Sequence, residues 1–297
     1  MLQSNRLLTS FPIIAAILTA MSGGLSAAPR EILLIAGPPS HTRLAHEQNA
    51  AAMLFARFLN EVPGIHATVS KNGWPSEQSL ITKADAIWVF CDGGEKHLIA
   101  KDDHTAQMQA AAKRGAGMMF YHYGVEPPAK ALHEEFLDWT GGFFELNRSV
   151  NPIFEGDFTT LPKHPITRGV TPFKLKDEWY YNMTFRGDKK GITEILVTTP
   201  PASSLSRPDG PHEGNPDVRS KVGQPQCVMW AYQRPDGGRG AGFTGGHFHM
   251  NLGDDNFRKL VLNALVWVAK GEVPANGVTS HVTQDDLLQN LDPGKQP

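Results

Sequence analysis

Two loops carry histidines where chemistry is plausible on physical grounds. Gly245-Gly246-His247-Phe248-His249 follows a short β-prone run and precedes an amphipathic helical stretch, and Tyr121-His122-Tyr123-Gly124 follows another apolar run in the same way. Imidazole changes charge near neutral pH, so a rigidly held histidine suits acid/base work or ligation. His247 and His249 are two residues apart; such a pair points one way on an extended segment and apart on most loops. Both readings stay open for that pair: joint duty, or one ring on a backbone carbonyl and the other solvated. His122 directly follows a buried run, which holds its ring rigidly and favours a general base.

Further polar groups fall after other apolar runs. His46-Glu47 stands at a helix start, where Glu47 also complements the helix dipole, and His41 reads as a solvated loop residue. Asp92 ends a third apolar run. Tyr123 either donates to a substrate oxygen or packs on Trp139. Asp177-Glu178 precedes Trp179-Tyr180-Tyr181, which is either a sugar subsite built from carboxylates and rings or a strand edge with one face packed. Arg207 and His212 flank a Pro-Asp-Gly-Pro turn. The expected catalytic residues are therefore His122, His247 and His46, and the expected substrate contacts are Tyr123, Glu178, Trp179, Asp92, Glu47, Arg207, His212 and His249.

The elements that position these groups follow from hydrophobic period. Residues 31–37, 86–91, 117–121 and 240–244 are short apolar runs closed by glycine or polar turns, the pattern of strands buried on both faces. Residues 46–60, 104–114 and 255–269 have helical spacing, and 65–69 is a further short strand. Alternating strands and helices predict a parallel sheet covered on both faces, with ligands beyond the carboxyl ends of its strands. From 141 to 239 the helical period fades, and a β-rich elaboration with strands at 194–198 and 226–232 is expected rather than a free-standing domain. The polar, Pro-rich tail at 273–297 should wrap the surface or fray.

Composition narrows the function classes. With 297 residues, 40% of them hydrophobic, the chain has ample material for a core spanning 28–272. A net charge of −2 without a basic block argues against nucleic acid and favours a small polar ligand. Residues 1–27 combine Arg6, an apolar stretch from Leu7 to Met21 and small residues, the arrangement of a secretory signal peptide. A secreted or periplasmic protein without stable membrane insertion is expected; its oligomeric state is open. Cys91 and Cys227 sit in or after apolar runs and read as buried free thiols. No phosphate-binding Gly-x-x-x-x-Gly-Lys loop, dinucleotide Gly-x-Gly-x-x-Gly or Gly-x-Ser-x-Gly elbow occurs. His-Glu-x-x-His and Cys-x-x-Cys are also missing, so no cofactor or metal ligand is assigned, although imidazoles and carboxylates suit a divalent ion.

Four ordered segments resemble the ThuA-like (trehalose utilisation) family: residues 115–123, His164-Pro165-Ile166-Thr167-Arg168-Gly169, Asp177-Glu178-Trp179-Tyr180 and Gly245-Gly246-His247. The resemblance spans about residues 30 to 272. It implies a flavodoxin-like three-layer α/β sandwich, similar to class I glutamine amidotransferases, with a central mostly parallel sheet and an irregular β-rich insertion. Where amidotransferases carry a cysteine nucleophile, this chain has His122-Tyr123, so thiolate chemistry is not expected. The resemblance implies a sugar substrate, particularly a 3-keto-glycoside, and places His122, Glu178 and His247 at motif positions; His249 lies beyond them.

Overall fold

The computed structural model describes residue 1 and residues 28–294; the expected signal peptide lies outside the described residues, apart from Met1. The first half alternates regularly: β1 (Arg30–Ala36), α1 (Gln48–Leu59), β2 (Ile65–Ser70), α2 (Gln78–Lys83), β3 (Ala86–Phe90), α3 (His104–Lys113), β4 (Gly117–Tyr121) and α4 (His133–Trp139). The elaboration follows with β5 (Gly142–Phe143), β6 (Ile153–Phe158), β7 (Phe173–Glu178), β8 (Thr184–Phe185), β9 (Ile192–Thr198), α5 (Ala202–Leu205), α6 (Pro216–Arg219) and β10 (Gln226–Gln233). The chain closes with β11 (Arg239–Phe243), α7 (Asp255–Val268) and α8 (Gln284–Leu287).

Seven strands form the central sheet in the order β2-β1-β3-β4-β11-β10-β9. β10 is antiparallel to both β11 and β9, and the other pairs are parallel. The 141–239 segment thus returns two strands to the main sheet. Its remaining hairpin pairs β6 with β7 and ends at Glu178.

Both faces of the sheet are covered, which explains the unbroken apolar runs. Leu34, Trp88 and Tyr121 pack with Phe55 of α1 and with α7 on one face, while Ile35, Val89 and Phe120 pack with Met108 of α3 and Phe136 of α4 on the other. Each such side chain taken from water contributes about 1.5–3 kcal/mol. Cys91 and Cys227 are buried and free. Among the described residues no helix is long and apolar enough to cross a membrane.

The tail is docked rather than frayed. Thr283 and Asp286 form a reciprocal cap on α8, Leu287 is buried, and the Asp292 amide donates to Glu47 Oε2 at 2.8 Å. β1 passes to β2 on one side and, through β2, to β3 on the other. The loops after β1 and β3 therefore flank a reversal of strand order, where open α/β sheets form their crevices.

Candidate active site

The loop after β1 is tied to the loop after β11. The His46 amide donates to the His247 carbonyl at 3.0 Å, the His249 amide donates to the Leu44 carbonyl at 2.9 Å, and Ala45 and Phe248 form an antiparallel bridge. Residues 201 positions apart are thereby set side by side. The left-handed backbone of Leu44 (φ 66°) and His46 (φ 47°) turns the ring inward. Such conformations cost about 1–3 kcal/mol in non-glycine residues and gather where surroundings enforce them.

His122 makes the corresponding turn after β4, with φ 50°. Its Nδ1 lies 2.8 Å from the Thr244 carbonyl. A carbonyl only accepts, so the proton sits on Nδ1, and in the neutral ring Nε2 presents its lone pair. That Nε2 is 3.0 Å from His46 Nε2, 3.2 Å from the Tyr180 hydroxyl and 3.5 Å from Glu178 Oε2. His247 Nδ1 lies 3.1 Å from His46 Nε2 and 3.1 Å from Glu178 Oε2. Three imidazoles and a carboxylate from four segments meet at one point, and their facing atoms all lie within 4.8 Å of one another. These are the residues that could hold a metal ion; His41, His46 and Asp92 form a second, overlapping group.

Asp177 builds the other wall. Fully buried, it accepts from the Gly246 amide and the Asn251 side chain on Oδ2, and from the His247 and Glu178 amides on Oδ1. Gly246 is required here: its φ is +117°, and a Cβ would stand 2.3 Å from the Tyr121 ring. Glu178 Oε1 accepts from Asn151 at 3.1 Å, and Arg207 donates to Asn151 at 3.2 Å. A cavity of about 340 Å³ opens beside Glu178, lined also by Asn151, Phe154, Pro201, Ser204 and Arg207, within the usual size range for small-molecule sites.

The electrostatics follow from this enclosure. Burial, reinforced by the neighbouring His122, pushes His46 well below the ordinary histidine range. Burial works to raise Glu178, but the facing His122 and His247 imidazoles outweigh it and hold its carboxyl well below the usual range. Asp92 likewise resists burial: the His46 imidazole at 3.9 Å and the Ser40 hydroxyl at 2.6 Å hold it down at about 2. His41 stacks on His46 with ring centres 3.6 Å apart and remains partly exposed. Across the rim, His212 meets buried Glu126 at 2.9 Å, which raises the histidine while burial raises the carboxyl.

The structure gathers His46, His122, His247, Glu178 and Asp92, with the ring centre of Tyr123 5.9 Å from that of His46. Other expectations change. Trp179 does not face a ligand: it is fully buried against Gly245, Phe158 and Phe243, and its indole donates to the Leu175 carbonyl. Glu47 is buried and spends its oxygens on the Leu44 and Asp292 amides, tethering loop and tail. His249 turns away from the centre, its Nε2 3.0 Å from the Leu287 carbonyl. Arg207 pairs with Glu213 and borders the cavity, and His212 pairs with Glu126. Tyr180, Asp177 and Asn151 were not singled out by their spacing; only the adjacency of the first two to Glu178 hinted at them. His122 and His46 are 0% and 1% exposed, so a ligand meets His247, Glu178, Asp92 and His41 at the centre and His212 across the rim.

His97 supports the elbow from below. Its Nε2 donates to the Gly124 carbonyl at 3.0 Å and its Nδ1 accepts from the Ile99 amide at 3.2 Å. Burial lowers it to about 4. The folded state therefore favours the neutral ring; the stability it gives is complete above pH 6.5 and is lost as pH falls through about 4, amounting to about 3 kcal/mol. Urea midpoints at pH 7 and pH 4.5 should differ less in His97→Gln than in the unsubstituted chain, and equal differences would refute this.

An α/β sandwich with its polar groups at the carboxyl edge and a histidine in the elbow defines an amidotransferase-like fold without the thiolate. Cys91 lies instead after β3, where burial pushes its thiol up to about 12. The chain belongs to the ThuA family, described as trehalose utilisation, whose model matches residues 39–268. That membership gives it a carbohydrate-related role. Among solved structures, a ThuA-like protein from Bacteroides uniformis is 16% identical with a TM-score of 0.55, the match covering 87% of this chain and 95% of that one. A ThuA-like protein from Parabacteroides merdae is 15% identical with a TM-score of 0.54, covering 86% and 94% respectively. No curated protein matches the chain.

Proposed function

We propose that the chain is an exported enzyme that cleaves a glycoside carrying a 3-keto group by acid/base chemistry at the histidine–carboxylate centre. The observation that carries this reading is the meeting of His46, His122, His247 and Glu178 at one point beside a cavity of about 340 Å³. The Arg6-led apolar segment and its small-residue end support export. A carbonyl at C3 acidifies the proton on C2, so cleavage needs no pair of carboxylates flanking the bond.

The sugar carbonyl oxygen lies against the centre, where the partly exposed His247 imidazole donates an N–H to it and stabilises the charge that develops. His41, backed by Asp92 at 3.7 Å, takes the C2 proton. The released electron pair forms the C1=C2 bond and the C1–O glycosidic bond breaks. The leaving oxygen takes a proton from His212, which Glu126 keeps protonated to higher pH. Water adding across C1=C2 then gives the free 3-keto sugar. His122, enclosed by its neighbours, shapes the centre instead of meeting the C2 proton.

Incubating the full chain with a 3-keto-glycoside and with the same glycoside unoxidised tests this. Release of the leaving group from the keto form alone is the expected result. Saturable heat of binding with both glycosides left intact would overturn it and make the protein a sugar-binding module.

A further inference from the structure

The spacing of the central atoms fits the ligands of one ion as well as it fits hydrogen bonds. Around an ion with bonds of about 2.0–2.1 Å, neighbouring donors stand about 3.0 Å apart at right angles and about 3.4 Å apart at tetrahedral angles. Observed separations are 3.0 Å for His122 Nε2 to His46 Nε2, 3.1 Å for His46 Nε2 to His247 Nδ1, 3.1 Å for His247 Nδ1 to Glu178 Oε2, and 3.5 Å for Glu178 Oε2 to His122 Nε2.

Proton counting favours the ion. The bare His122 Nε2 has one lone pair, yet His46 Nε2 and the Tyr180 hydroxyl both face it. A proton on His46 Nε2 can serve His122 or His247, which face it at nearly equal distances, but not both. A single cation satisfies all the facing lone pairs at once. The surroundings match as well: His122 is oriented by the Thr244 carbonyl through its remote nitrogen, and Glu178 is held through its remote oxygen by Asn151. Such outer contacts are the usual means by which proteins fix ligand rings and carboxylates. The left-handed backbones of His46 and His122 show that the chain pays strain to aim both rings at this point.

We infer that His46 Nε2, His122 Nε2, His247 Nδ1 and Glu178 Oε2 bind one divalent transition-metal ion of the zinc type, with a coordination position open toward the cavity beside Glu178. Three imidazoles with one carboxylate suit such ions better than magnesium or calcium, which prefer oxygen. The inference rests on the proposed carbohydrate reading only for what occupies the open position: the C3 carbonyl oxygen, which the ion would polarise as a Lewis acid. The site itself is argued from the protein's own donors.

The test begins with the full chain purified without added metal or chelator and analysed by elemental mass spectrometry. About one equivalent of a transition metal is expected. Chelated protein should gain thermal stability on addition of Zn²⁺, Mn²⁺ or Co²⁺, and the Co²⁺ form should show visible d–d absorption. Glu178→Gln and His247→Ala should weaken Zn²⁺ binding at least tenfold, with circular dichroism confirming that both remain folded. Metal-free protein that shows neither thermal gain nor calorimetric heat with any of these ions overturns the site, as does undiminished binding in both variants. The two proposals separate cleanly. Turnover of the keto-glycoside by metal-free protein removes the ion's part in the reaction and leaves the carbohydrate reading, with the site itself decided by the binding measurements; one bound ion with no turnover removes the carbohydrate reading and leaves the ion.

Discussion

Alanine at His122 is expected to lower kcat/KM for a 3-keto-glycoside by about 10³-fold, within the roughly 10²–10⁴ range for loss of one positioned group. His122 Nε2 stands within 3.5 Å of His46, Tyr180 and Glu178, so deleting the ring removes the member that touches the other three. It also strands the buried Thr244 carbonyl, which now accepts from Nδ1, at a cost of about 1–3 kcal/mol. Stability alone does not account for the kinetic loss. His41→Ala supplies the comparison, because that ring is partly exposed, and what is lost is its stacking on His46, its hydrogen bond with the Ser40 hydroxyl, its approach to Asp92 and edge contacts with Tyr123 and His247. It should lower kcat by about 10²-fold while leaving the fold intact. Steady-state kinetics beside urea titrations check both. A His122→Ala enzyme within tenfold of the original would refute the assignment of the centre.

Much of the scaffold could be read from the chain because a sheet covered on both faces forces continuous apolar runs. β1, β3, β4 and β11 all follow such runs, and each ends at a glycine or polar residue where a site loop begins. The loops bearing His46, His122 and His247 could be found for that reason. What escaped was set by tertiary packing. Trp179 reads like a sugar platform beside two carboxylates, yet as the residue just after β7 it continues the strand's alternation into the core beneath Gly245, while Glu178 points to the centre. Glu47 reads as a helix-start carboxylate near the rim, but its partners are amides at positions 44 and 292, the latter in a tail whose polarity gives no sign of docking. Tyr180 is one aromatic among three in succession, and only the left-handed turn at His122 brings an imidazole to its hydroxyl. The positive φ values at His46 and His122 are only weakly signalled by residue type, since histidine enters this region more often than most side chains but still uncommonly.

Asp177→Asn is expected to destabilise the protein by about 3–5 kcal/mol and to damage the site beyond what that loss explains. The carboxylate collects four donors: the amides of Gly246, His247 and Glu178 and the side chain of Asn251. An asparagine offers one acceptor oxygen. Whichever way its amide turns, an NH₂ group faces backbone N–H, so at least two bonds to a charged acceptor are lost, each worth about 1.5–3 kcal/mol. The residue touches no reacting atom in this arrangement; it is a positioning residue that fixes His247 and Glu178 in the same register. Its effect should therefore appear in two measurements that a purely structural residue would not move together. Urea unfolding gives the stability loss, while kcat/KM measured well below the shifted midpoint should still fall by at least tenfold. A variant that is destabilised but has unchanged kcat/KM would show that the Gly245–His247 loop finds its place without this anchor. The close approach of Gly246 to the Tyr121 ring, which leaves no room for a Cβ, argues against that outcome: a loop confined by an aromatic face and a φ of +117° has few other positions, and losing the Asp177 anchor shifts His247 off the centre.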